Sequence, residues 1–182
     1  MPIRKAYSQF VPKRKLASMR DLRTNSAEAL LRLHYHVLDE LKARGIIRSA
    51  NAPIGEYAEL LFCEAFDWIR AEKNSNSGYD ATDKTGTRIQ IKARRIIGRG
   101  SRQLGSIRNL KQNPFDKLAA VLFAKNLEIV RAAIIPLEIV RLRSVHDPHT
   151  NSFRFMLEDD VWNMPGVQDV TGRIRIAATE QF

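Results

Sequence analysis

Apolar residues recur at helical spacing in two stretches before any strand pattern begins. Leu30, Leu33, Val37, Leu38 and Leu41 form a stripe that predicts a helix over about 26–44. Asn25 can cap it, Glu28 can close a capping box, and Gly45 ends it. A second helix is expected from about Pro53 to Glu72, with a wide apolar face that includes Tyr57, Leu61, Phe62, Phe66 and Ile69. "KNSNSG" then breaks the pattern with turn-forming residues.

The period changes to two at Gly78–Arg95. "GYDATDKTGTRIQIKARR" reads as a short strand, a turn at Lys84-Thr85-Gly86 and a second strand. "KLAAVLFA" at 117–124 is continuously apolar, the pattern of a strand buried on both faces, and "LEIVRAAII" follows as another strand. Pro136 opens a helix over "PLEIVRLR". Phe153, Phe155 and Leu157 alternate as a strand, and a last strand is expected near Arg173–Ile176. Between the hairpin and 117 lies a loop, about Ile96 to Pro114, without periodicity and long for a compact domain. Such a loop is expected to order on its ligand. Helices followed by a hairpin, strands and a helix predict an α/β fold, a mixed sheet with helices packed on it.

Composition narrows the class. At 44% apolar and 27% charged residues the chain is a folding sequence and not a disordered one. No apolar run approaches the roughly 20 residues of a membrane span, and no apolar stretch follows the basic N-terminal residues as in a secretory signal. Cys63 is the single cysteine and falls in the second helical pattern, so a buried inert thiol is expected. A cytoplasmic protein is the simplest fit. His34 and His36 stand two apart on a helix and cannot chelate together.

The net charge is +10 and its placement is uneven. Residues 1–25 hold seven Lys/Arg against Asp21, and residues 88–111 hold eight with no acid. This is the pattern of a polyanion-binding surface, with nucleic acid as the expected partner and a solubilising surface or a lipid-headgroup contact as the alternative. Residues 1–25 read as a basic arm, and 26–182 as a single domain with its core at about 53–140. Arg94, Arg95, Arg99, Arg102, Arg108 and Lys111 are the expected phosphate contacts. The acidic cluster Glu158–Asp160 is expected to be a solvated turn, with packing on the basic face, or autoinhibition of it, as the alternative.

The hairpin also carries candidate chemistry. With the turn at Lys84-Thr85-Gly86, Asp83 pairs with Thr87 and Asp80 with Gln90, about 5 Å apart on one face. Alternation adds Lys92 to that face and sends Ile89 and Ile91 to the core. A hard divalent cation takes oxygen ligands. Asp80 offers a carboxylate, Gln90 an amide oxygen and Ile91 its backbone carbonyl. Lys92, protonated, can hold an attacking water and stabilise charge building on a phosphate. On a wheel of about 100° per residue, Glu59 falls at the border of the apolar face, where it can reach over the sheet edge. Glu56 is the second choice, since its first-turn position suits a contact with the N-terminal amides.

These residues resemble the PD-(D/E)xK nuclease superfamily, the restriction-endonuclease-like fold. The likeness runs over about 53–140: "GEYAE" opening a helix, "GYDATD" opening a hairpin, "IQIK" on its second strand, then "FDKLAAVLFA" and "LEIVRAAIIP". It implies a central mixed sheet flanked by helices and Mg²⁺-dependent (or Mn²⁺-dependent) hydrolysis of DNA phosphodiesters. Carried over, Asp80 is the motif aspartate, Gln90 the acidic position, Lys92 the motif lysine and Glu59 the helix glutamate, four after a glycine. Tyr79 stands in place of the proline, and Gln90 removes one negative charge. A double-strand cut takes two such sites, so a homodimer is expected. A non-catalytic nucleic-acid-binding protein on a decayed nuclease fold is the alternative, and Gln90 favours it.

Overall fold

The computed structural model describes residues 19–49, 53–72, 78–98 and 100–180. Residues 1–18 of the expected arm, and Arg99, lie outside them. The chain divides into two compact units, Met1–Glu40 and Leu41–Phe182.

In the first unit a 3₁₀ turn at Met19–Thr24 leads into α1, Ala27–Ala43, whose last three residues belong to the second. The Ala29 N–H donates to Ser26 Oγ at 3.2 Å, so Ser26 is the cap where Asn25 was expected. Glu28 pairs with Arg32 one turn on. In the second unit, Gly45 closes the end of α1 at φ +72, its N–H on the Lys42 carbonyl at 2.9 Å.

Helix α2 covers Pro53–Phe66. It stops short of the expected Glu72 because Asp67 turns left-handed at φ 55, and Ile69–Arg70 then form strand β1. The chain continues as β2 (Ala81–Thr82), β3 (Arg88–Arg95), β4 (Lys117–Phe123), β5 (Ile129–Pro136) and α3 (Leu137–Arg143). A separate hairpin, β6 (Val145–Asp147) with β7 (Ser152–Arg154), precedes a 3₁₀ turn at Asp159–Asn163, β8 (Gln168–Asp169) and α4 (Thr171–Glu180).

One six-stranded sheet runs β1-β2-β3-β4-β5-β8. The pair β3 and β4 is parallel and the remaining neighbours are antiparallel, so the sheet is mixed, as expected. Strand β4 is buried along Leu118–Phe123, as its unbroken apolar run implied. Its alternate residues feed two cores. Ala119, Val121 and Phe123 meet Ala58, Leu61 and Phe62 of α2 and Ile174 and Ala177 of α4. Leu118, Ala120 and Leu122 meet Val140 of α3, Leu104, Ile107, Leu110, Phe155 and Leu157. Each fully buried Leu or Phe contributes about 1.5–3 kcal/mol.

Three expectations are corrected here. The segment Arg173–Ile176 lies within helix α4, not a strand. Its Arg-Ile alternation fits period two, but burial follows Ile174 and Ala177, three apart. Arg173 and Arg175 bond the carbonyls of Ala65 and Ile129. The loop after β3 is packed, not loose: Leu104, Ile107 and Leu110 are buried, and backbone bonds tie Leu104 to Phe155 and Ile107 to Phe153. The cluster Glu158–Asp160 is ion-paired. Asp159 meets Arg102 at 2.8 Å and Arg131 at 3.1 Å, and Asp160 meets Arg143 at 2.7 Å. No described helix is long and apolar enough to cross a membrane.

Candidate active site

The register of the hairpin decides which side chains meet. Asp83 Oδ1 accepts the N–H of Thr85 and of Thr87, both at 2.9 Å, and the Thr85 hydroxyl at 2.7 Å. The Thr85 hydroxyl is the largest cause that holds the Asp83 carboxyl low, at about 2. The turn so pinned pairs Thr82 with Arg88 and Ala81 with Ile89, which sets Asp80 opposite Gln90.

Asp80 sits where β2 and β3 part. Its N–H donates to the Ile89 carbonyl at 2.8 Å, and its carbonyl accepts from Ala71 at 2.9 Å. One carboxylate oxygen, Oδ2, takes both the Gln90 amide and the Ile91 N–H, each at 2.6 Å. Ile91 therefore meets Asp80 through its N–H. Gln90 and Lys92 alternate with Ile89 and Ile91, which are 0% and 6% exposed in the core. Lys92 is half-buried, and no acid among the described residues pairs with it. Gly78 shapes the approach to Asp80: it has φ +77, and a Cβ there would lie 2.7 Å from that of Pro114.

A polar cavity of about 230 Å³ opens beside Asp80, lined by Arg48, Glu56, Glu59, Ala71, Glu72 and Tyr79. Gln90 and Lys92 are not among its walls; Gln90 joins it only through Asp80. Glu59 is 15% exposed in its side chain and stands between two arginines. Its Oε2 accepts from Arg48 Nη2 at 2.6 Å and from Arg70 Nε at 2.9 Å. Arg48 Nη1 also donates to the Ala71 carbonyl at 2.8 Å, and Arg70 Nη2 to the Glu56 carbonyl at 3.0 Å. Glu56 is 7% exposed, and its carboxylate takes the N–H of Arg48, the N–H of Ser49 and the Ser49 hydroxyl. Glu56 thus fastens the segment after α1 onto α2, a partner that a first-turn dipole contact does not anticipate.

The implied cation needs hard oxygen donors. Asp80 Oδ1 and the Gln90 amide oxygen take no hydrogen bond from a described residue, and Glu59 keeps its Oε1 outside the two arginine contacts. The donor set fits such an ion in kind. Asp80 forms no ion pair with a described residue, whereas the charge of Glu59 is offset by two guanidiniums. Among the described residues no three His, Cys, Asp or Glu side chains gather as a ready metal group.

The expected phosphate contacts divide by their state. Arg94 is exposed and donates to the Ser101 carbonyl at 3.2 Å. Arg95 donates to the Lys125 carbonyl at 2.9 and 2.5 Å. Both keep an unneutralised charge, as do exposed Arg108 and Lys111. Arg102 is committed to Asp159. Sequence reasoning missed Arg48 and Arg70. Each stands eleven residues from Glu59, one before and one after it, on segments that no local pattern connects.

No protein-family model matches this chain, and no curated protein matches it either. The function is therefore read from the site.

Proposed function

We propose that the chain is a Mg²⁺-dependent DNA endonuclease with a restriction-endonuclease-like core, a member of the PD-(D/E)xK superfamily. The observation that carries this reading is the opposed pair Asp80 and Gln90 at the fork of β2 and β3, with Lys92 next on the same face. Asp80 and the Gln90 oxygen would hold the cation, with the free oxygen of Glu59 or water beside them. Bound there, the ion supplies Lewis-acid polarisation of the phosphate and a more acidic water. Lys92 donates hydrogen bonds from its ammonium to the attacking water or to a phosphate oxygen as negative charge builds on it. The Ile91 N–H on Asp80 keeps that carboxylate aimed while substrate enters. Arg94 and Arg95 draw the DNA backbone along the end of β3, and Arg108 and Lys111 of the following loop add further phosphate contacts. A double-strand cut is expected from a homodimer.

The test is incubation of plasmid and linear DNA with Mg²⁺ or Mn²⁺. Wild type is expected to cleave, and Lys92→Ala to lose about 10²–10³-fold in rate with duplex affinity kept within a few-fold. Cleavage that survives both Asp80→Ala and Lys92→Ala overturns the site. A second reading, a non-catalytic DNA-binding protein, is favoured by the pairing of Glu59 with Arg48 and Arg70 and by the neutral amide at Gln90. It predicts duplex binding without cleavage on any substrate.

A further inference from the structure

The face of β3 that carries Gln90 and Lys92 continues with Arg94 and then Ile96. Ile96 forms a wall of a second cleft, about 530 Å³, with Gly98, Gly100, Arg102 and Lys125 around it. The Ile97–Gly100 turn is closed by the Gly100 N–H on the Ile97 carbonyl at 3.1 Å. Gly98 has φ +61, and a Cβ at Gly100 would stand 2.9 Å from the Ile97 oxygen. Neither position takes a side chain without strain.

The two cations of the cleft are not equivalent. Arg102 is offset by Asp159, which Arg131 shares. Lys125, in the turn between β4 and β5, is exposed and has no acidic partner among the described residues. The two bonds from Arg95 to its carbonyl fix the backbone of that turn. Lys125 lies outside both basic blocks of the sequence, so charge counting alone does not reveal it.

We infer that this cleft seats a backbone phosphate of duplex DNA, held by Lys125, with Arg102 shaping the wall. The inference rests on the DNA-binding part of the proposed function. Lys92 and Ile96 are four residues apart on an extended strand, about 13 Å at roughly 3.3 Å per residue. In B-DNA the roughly 3.4 Å per nucleotide is rise along the axis only, and successive phosphates of one strand lie roughly 7 Å apart, so that distance is about two nucleotides. The cleft therefore reads a phosphate about two nucleotides from the one at Lys92.

The experiment is fluorescence anisotropy with a short duplex in EDTA, titrated across NaCl concentrations. Lys125→Ala is expected to weaken binding and to make the slope of log affinity against log salt shallower by about 1, with Tm unchanged. Lys84→Ala, which removes a lysine paired with Asp67, is expected to leave the slope alone. A single neutral methylphosphonate scanned along one strand then gives the position. One site should weaken wild type but not Lys125→Ala, about two nucleotides from the site that behaves so with Lys92→Ala. An unchanged slope in Lys125→Ala, with wild type still bound in a salt-dependent way, overturns the cleft and leaves the DNA reading standing. A wild type whose duplex binding is absent or insensitive to salt overturns the DNA reading and the cleft together.

Discussion

Asp80 serves structure and chemistry with different oxygens, and substitution can separate the two. Its Oδ2 satisfies the Ile91 N–H at 2.6 Å. Asp80→Asn keeps an acceptor there, so its Tm should stay near wild type while metal-dependent cleavage is lost. Asp80→Ala leaves the amide without its partner and should cost a further 1–2 kcal/mol or so in urea unfolding. A Tm equally low in both would mean that the carboxylate's charge, and not the hydrogen bond, holds the fork. Glu59 makes the opposite forecast. It is the shared anion of Arg48 and Arg70, whose side chains are 30% and 17% exposed. Glu59→Gln strands two guanidiniums and should destabilise by about 2–3 kcal/mol, below the full cost of a broken buried pair because Arg48 reaches water. Calorimetric Mn²⁺ affinity should fall far more in Asp80→Asn than in Glu59→Gln. The reverse order would make Glu59 the principal ligand.

At the scale of elements, the hairpin turn governs the site because a one-residue slip moves each side chain to the opposite face. Asp83 pins that turn with three donors, and its folded pKa is lowered to about 2. The linkage sign follows from the lowered value: this stability is present above the ordinary carboxylate range and is lost as pH falls toward 2. Asp83→Ala should lower Tm at pH 7, and the gap from wild type should close as pH approaches 2. A gap that does not change with pH would remove the charge from the explanation. The hairpin was legible in the sequence for the same reason: Gly86, alternation and the turn fixed the opposition of Asp80 and Gln90 without distant information. The buried strand β4 was legible from its apolar run. The C-terminal end of α2 and the nature of α4 were not. Trp68 and Ile69 continue the apolar pattern past the left-handed Asp67, and Arg-Ile-Arg-Ile satisfies a strand period while Ala177 completes a helical one. The commitments of Glu56 and Glu59 were also hidden, because Arg48, Ser49 and Arg70 reach them only after the chain folds.

At the scale of the whole molecule, folding sorts the basic residues that the sequence counts alike. Within 88–111, Arg88 is matched by Asp116 and Arg102 by Asp159. Lys92, Arg94, Arg95, Arg108 and Lys111 keep their charge among the described residues. With Lys125 these make six phosphate contacts and a salt slope near −5.4, at about 0.9 per contact. Residues 1–18 add five Lys/Arg and no acid. Deleting them should therefore test whether that charge touches DNA or only attracts it. If it touches, the slope of wild type is steeper than about −5.4 and falls back to it on deletion, and dissociation speeds up. If it only attracts, association slows at low salt while dissociation keeps its rate. Stopped-flow association and dissociation of a labelled duplex, measured on both chains at two salt concentrations, separate these outcomes. We expect the first, because a block of five cations with no acid among them gains most by displacing the counterions condensed on a duplex.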